Sequence, residues 1–215
     1  VLDAGIAGVG VEPALRRVYP QGALAGQVLG AVNAEGEAAG GLEWGLNTRL
    51  TDPAAVDRPV RLSLDMRLQF AVEDELATAT RDFRAQGGAV VLLDGRTGEV
   101  LALATNPALP AGRVRLDGPP DRAAQALYEM GSTLKPLTVA LGLEAGVVGL
   151  GSRFDTDAPL RIGTATLRDP HPRGPAVPLR EALAHSSNIA AAEIALALGA
   201  ERQTAGLRAF GLYDR

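Results

Sequence analysis

The sequence predicts a mixed α/β fold: an antiparallel sheet flanked by helices, led into by an extended Gly- and Ala-rich segment. Three observations carry this. Two short, almost wholly apolar runs, residues 89–93 and 99–104, are joined by the turn sequence Asp94-Gly95-Arg96-Thr97-Gly98, a β-hairpin pattern. Leu68, Val72, Leu76, Ala79 and Phe83 recur at spacings of four and three, the mark of an amphipathic helix. Further helical patterns begin at Ser132 and run on toward the end of the chain.

Taken in order, residues 1–59 hold few long apolar runs. Arg17-Val18-Tyr19-Pro20 reads as extended, because a residue before proline avoids the helical region. Gly22 to Val28 is a candidate short helix ending near Gly30, and Trp44, the sole tryptophan, is expected to pack rather than bind. Val60 to Leu64 alternates like a half-buried strand, and Asp65 is placed to cap the next helix. Glu73, Asp74 and Glu75 read as the wet face of that helix, which ends at Gln86-Gly87-Gly88. Both hairpin arms are so apolar that helices are expected on both faces of the sheet. Residues 105–121 are rich in proline and glycine and read as loop.

The helix from Ser132 should reach about Ala145, burying Leu134, Leu137, Leu141 and Ala145. Pro136 sits in its first turn, where a missing N–H costs least. Short strands are expected at Leu160–Ile162 and Thr164–Leu167, a short helix from Pro178 to Ala184, then helices at about Ile189–Leu198 and Glu201–Phe210. These divide the chain into an accessory linker segment, 1–59, and a main domain, 60–215.

Composition narrows the function. An apolar content of 47% with 21% charged residues makes a cored, folded protein. A net charge of −4 argues against nucleic-acid binding. There are no cysteines, so thiol catalysis and cysteine-ligated zinc are out, and two histidines make no convincing metal site. No metal or cofactor is expected. No run of about 18 apolar residues is present to span a membrane.

The chemistry centres on Gly131-Ser132-Thr133-Leu134-Lys135-Pro136. Ser132 and Lys135 are three residues apart, neighbours on one helical face. Of 21 Lys and Arg residues, Lys135 is the only lysine. Arginine cannot lose its proton in a protein, whereas a partly buried lysine can. A chain that avoids lysine yet keeps one beside a serine points to an activated nucleophile. A helix start also favours the alkoxide and the oxyanion formed after attack on a carbonyl. A second polar cluster, Ser186-Ser187-Asn188, falls between two helices. It reads either as an ordinary helix cap or as a proton relay with an amide that holds lysine or substrate.

Tyr128 to Pro136, together with Leu183 to Asn188, closely resembles the class B penicillin-binding proteins, the peptidoglycan D,D-transpeptidases of division and elongation. The likeness extends to Arg17–Pro20 with Leu29-Gly30, to Val60–Gln69 and to Asp94–Ala102. It implies a partial penicillin-binding transpeptidase domain behind a pedestal-like linker. Ser132 would be acylated by the D-Ala-D-Ala end of a stem peptide or by a β-lactam. Lys135 would be its base, Ser186 would move a proton to the leaving amine, and Asn188 would bind lysine and substrate amide. His185 and Ser187 read as structural. The implied partners are peptidoglycan stem peptides, β-lactams and division or elongation proteins. The implied location is the periplasmic face of the bacterial inner membrane, reached through an anchor this chain does not contain.

One departure matters. The family's third motif, Lys-Thr-Gly, is missing, since the single lysine is already used. Arg96-Thr97-Gly98 is no substitute, because it precedes Ser132 and lies in the hairpin turn. The expectation is therefore a fragment that takes little or no penicillin label alone. The alternatives are a serine β-lactamase or β-lactam sensor, separable by how long the label persists, and a non-catalytic scaffold of the division machinery.

Overall fold

The computed structural model describes residues 17–33, 35–55, 57–109, 111–112 and 121–213. Contacts divide the chain into two units, Val1–Leu127 and Tyr128–Arg215.

In the first unit, three short helices, α1 (Gly26–Leu29), α2 (Gly41–Gly45) and α3 (Asn47–Leu50), precede a long one, α4 (Met66–Asp82). The short helices bury little, and Trp44 on α2 is 70% exposed, so it does not pack as expected. Arg17 pairs with Glu43 at 2.9 Å. Residues 60–64 form no strand. Asp65 caps α4 as its sequence suggests, its carboxylate accepting from Arg67 N at 2.9 Å and Leu68 N at 3.3 Å.

The hairpin forms where expected. Strand β1 (Gly88–Leu93) pairs antiparallel with β2 (Val100–Asn106), Val90 opposite Ala104 and Val91 opposite Leu103. Helix α4 packs on this pair through a stripe that keeps Leu76 of the predicted one but is otherwise shifted to polar residues. It buries Gln69, Leu76 and Thr80, while Leu68 is 38% and Phe83 85% exposed. The reason is polar. Gln69 is fully buried, donates from Nε2 to Leu103 O at 2.8 Å and accepts from Leu103 N at 2.9 Å through Oε1. Thr80 meets the Asn106 amide. These bonds turn the helix away from its most apolar face.

Glu73 also departs from its expected wet role, accepting from Ala25 N and from Gln69 Nε2, both at 2.8 Å. Only one face of the sheet is covered among the described residues: Ala102 and Ala104 are buried, but Val91 and Leu93 on the opposite face are about half exposed. The outer edge of β2 is occupied, by Ser63 Oγ at Val100 O, by Asp65 N at Leu101 O, and by Gln69 at Leu103.

The second unit begins with a 3₁₀ turn, Gly131–Leu134, that runs directly into α5 (Lys135–Glu144). Strand β3 (Arg153–Phe154) pairs with the later β6 (Val177–Pro178), enclosing the two expected short strands, β4 (Leu160–Ile162) and β5 (Ala165–Leu167), which pair as a hairpin. Then come α6 (Leu179–Ala184), α7 (Asn188–Leu198) and α8 (Ala200–Ala209). Val139, Val148, Phe154, Leu179, Ala190 and Ile194 form the heart of its core.

The buried face of α5 is Thr138, Val139 and Gly142, not the leucines. The 3₁₀ turn takes Leu134 out of the regular helix, and within α5 the side that meets α7 lies one residue on from Leu137 and Leu141. The stripe 135, 138/139, 142 then faces α7, and Lys135 heads it. Gly142 lets the two helices close: a Cβ there would lie 2.6 Å from Ile194 Cγ2 and 2.9 Å from Val148 Cγ1.

Candidate active site

Ser132 is exposed and sits in the 3₁₀ turn, immediately after Gly131, whose φ of 55° is open to glycine without a Cβ penalty. Its N–H falls in a first turn, before intrahelical partners are available. Lys135 is half-buried and starts α5. Its stem borders a small crevice shared with Val139, Leu179, Ala182 and Leu183.

The lysine head spans 51 to 53 residues of sequence. Lys135 Nζ donates to Ser186 O at 2.5 Å, to Ser186 Oγ at 3.0 Å and to Asn188 Oδ1 at 2.6 Å. These three acceptors match the three donors of an ammonium group. The structure thus brings Lys135, Ser186 and Asn188 together as the sequence grouping requires. Ser132 Oγ makes no hydrogen bond to Lys135, and Ser132 itself is exposed.

Ser186 has φ 57°, a left-handed conformation uncommon for a residue with a Cβ. Its carbonyl and hydroxyl oxygens both reach the same ammonium. Strain of this kind costs on the order of 1 kcal/mol and persists only where neighbours enforce it. Ser187, by contrast, is a cap: its Oγ accepts from Ala190 N at 3.0 Å at the start of α7. The serine cluster therefore divides: Ser187 caps α7, while Ser186 and Asn188 face the lysine. His185 is exposed beside Arg173, 3.3 Å from its guanidinium.

One residue at this site carries no usable signal in the sequence. Asp169, just after β5, is 8% exposed. Its Oδ2 accepts from Ser187 Oγ at 2.5 Å, and its Oδ1 accepts from Asn188 N at 2.5 Å and Ile189 N at 3.1 Å. Next to it, Arg168 O accepts from Asn188 Nδ2 at 3.3 Å, which leaves Oδ1 of that amide for Lys135. Burial pushes the Lys135 ammonium below the ordinary lysine value of 10.5, and the Asp169 carboxylate pulls the other way.

Chemically, the cluster is a lysine that is held but can be discharged. A neutral amine keeps two N–H donors and gains a lone pair. Ser186 O and Asn188 Oδ1 can only accept, so they hold the two donors. The lone pair is then left for a hydroxyl proton, that of Ser186 or that of Ser132.

The model of the penicillin binding protein transpeptidase domain matches residues 88–215, more than half of the chain. The chain is similar to the probable peptidoglycan D,D-transpeptidase FtsI of Caulobacter vibrioides, 37% identical over 94% of this chain and 35% of that protein. Among solved structures it is similar to the D,D-transpeptidase domain of a peptidoglycan glycosyltransferase from Eggerthella lenta, with TM-score 0.79 and 30% identity, covering 93% of this chain and 48% of that one. It is also similar to penicillin binding protein 3 of Mycobacterium tuberculosis complexed with aztreonam, with TM-score 0.74 and 27% identity, covering 93% of this chain and 47% of that one. The chain thus spans little more than a third of the length of the curated relative.

Proposed function

This chain belongs to the penicillin-binding protein transpeptidase family, and we propose that it supplies the acylation machinery of a peptidoglycan D,D-transpeptidase. The observation that carries the reading is the clasp of Lys135 Nζ by Ser186 and Asn188, which joins two sequence motifs into one site.

In this reading Ser132 Oγ attacks the carbonyl of the penultimate D-Ala of a stem peptide. Its proton passes to neutral Lys135, either directly or through Ser186. The Ser132 N–H is a donor to the developing oxyanion. Collapse of the tetrahedral intermediate breaks the amide C–N bond, and the proton returns by way of Ser186 to the departing D-Ala amine. An ester to Ser132 remains. The amine of a neighbouring stem peptide then attacks that ester, giving its proton back to Ser132 Oγ and forming the cross-link. A β-lactam enters by the same first step, its ring amide taking the place of the D-Ala amide bond.

Residues 1–59 are proposed as the linker segment and 60–215 as part of the transpeptidase domain. The setting is the periplasmic face of the inner membrane, beside the division or elongation proteins. The relative called FtsI in Caulobacter supports a division role.

The test is covalent labelling of the full-length protein with a fluorescent penicillin, followed by peptide mass spectrometry. Stoichiometric, persistent label on Ser132, absent from Ser132→Ala, is expected. Label on another residue, or none on the folded protein, would overturn the assignment. Rapid release of the label would make the protein a β-lactamase.

A further inference from the structure

We propose that Asp169 is a positioning residue for acylation, fixing the Ser186–Asn188 turn that holds Lys135. The inference rests on the reading of Ser132 and Lys135 given above.

The geometry is specific. A buried carboxylate faces the start of α7, an eleven-residue helix, and accepts from two of its first backbone N–H groups and from the Ser187 hydroxyl. No arginine or histidine pairs with it among the described residues. Its charge is met by those donors and by Lys135 nearby. Asp169 and Arg168 together hold Asn188 at both its backbone N–H and its side-chain amide, so the amide oxygen has one orientation, toward Nζ. Asp169 touches neither Nζ nor Ser132. It acts through the residues that do.

The opposing influences on Lys135 give Asp169 a second effect. Burial in the apolar crevice favours the free base, while the carboxylate favours the ammonium. Two other titratable groups stand in the same unit: His185 lies 3.3 Å from the Arg173 guanidinium, and Glu193 of α7 is raised by burial and then by the Asp155 carboxylate. Removing the charge at 169 therefore lowers the pH at which Lys135 becomes a base. It also loosens the turn that presents Ser186 and Asn188.

These two effects are separable by experiment. Asp169→Asn keeps the shape and one acceptor oxygen but not the charge, and Asp169→Glu keeps the charge but moves it. The full-length protein and both variants are labelled with penicillin between pH 6 and 10. Rates are expressed per site that finally labels, so that unfolded protein does not count. For Asp169→Asn the acid limb of the pH–rate profile is expected to move to lower pH, with the plateau rate about tenfold lower. Asp169→Glu should keep the limb and lose the plateau. Unchanged limb and plateau in a folded Asp169→Asn protein would overturn the proposal, even if its Tm had fallen, because that is what a purely structural aspartate would do. If the unmodified protein takes no label on Ser132, it is the parent reading that fails.

Discussion

Two aspartates start two helices in this chain, and they do so differently. Asp65 is local. It caps α4 through the N–H groups two and three residues ahead and pairs with Arg67 in open solvent at 2.9 Å. Asp169 is remote. It is buried and serves N–H groups 19 and 20 residues ahead, near a lysine whose charge burial disfavours. The first anchors a helix that carries the sheet, and the second anchors a helix that carries the chemistry. A helix start is the same electrostatic object in both places. What differs is the surroundings: Asp65 meets solvent and Arg67, whereas Asp169 is buried against Ser187 and the start of α7.

The comparison is sharpest at Lys135. Lys135→Arg keeps the positive charge beside Asp169 but removes the base. Acylation of Ser132 is expected to fall by on the order of 10³-fold, within the range general-base catalysis contributes, with the fold retained by circular dichroism. A Lys135→Arg protein labelled at the unmodified rate would break the link between the site and its lysine.

Next comes stability at the remote cap. Asp169→Ala leaves Ser187 Oγ and two backbone N–H groups without their acceptor in a buried setting, a loss of about 3 kcal/mol measured by urea unfolding. Asp65→Ala should cost clearly less, because water replaces the lost acceptor. Equal losses would erase the distinction between the two caps. Gly142→Val tests the same unit by packing: its side chain would crowd Ile194 and Val148, costing about 2 kcal/mol.

The smallest effect is an acid titration. Hydrogen bonds from Arg67 and from the helix N–H groups lower the Asp65 carboxyl from 3.8 to about 2. A lowered carboxylate value stabilises the fold above pH 3.8, and that contribution disappears as the pH falls through about 2. The stability gap between the protein and Asp65→Asn should therefore be constant above about pH 5 and close as pH 2 is approached. A gap that persists at the acid end would mean that Asp65 acts by shape rather than charge.

What is legible in the sequence divides along the same line. The cap at Asp65 and the hairpin around Asp94–Gly98 are short-range patterns, and their partners lie a few residues away. Ser186 and Asn188 are reachable through family likeness, and the structure gathers them at Nζ. Asp169 is not, because a buried aspartate whose partners lie 18 to 20 residues on leaves no periodic trace. The left-handed turn at Ser186 is equally hidden, since nothing but its neighbours enforces it. The faces of α4 and α5 mislead for a related reason. Apolar periodicity predicts which stripe could be buried, but Gln69 clamping Leu103, and the close approach of Gly142 to Ile194 and Val148, fix which stripe is.

That Gln69 clamp has a directional consequence. By returning both hydrogen bonds of Leu103, its side-chain amide imitates one residue of an adjacent strand and closes that side of the sheet to newcomers. The antiparallel alternation then turns the backbone groups of Ala89 and Val91 outward on the other side. Growth of this sheet is one-way: any strand that joins it, from this polypeptide or another, must dock along β1.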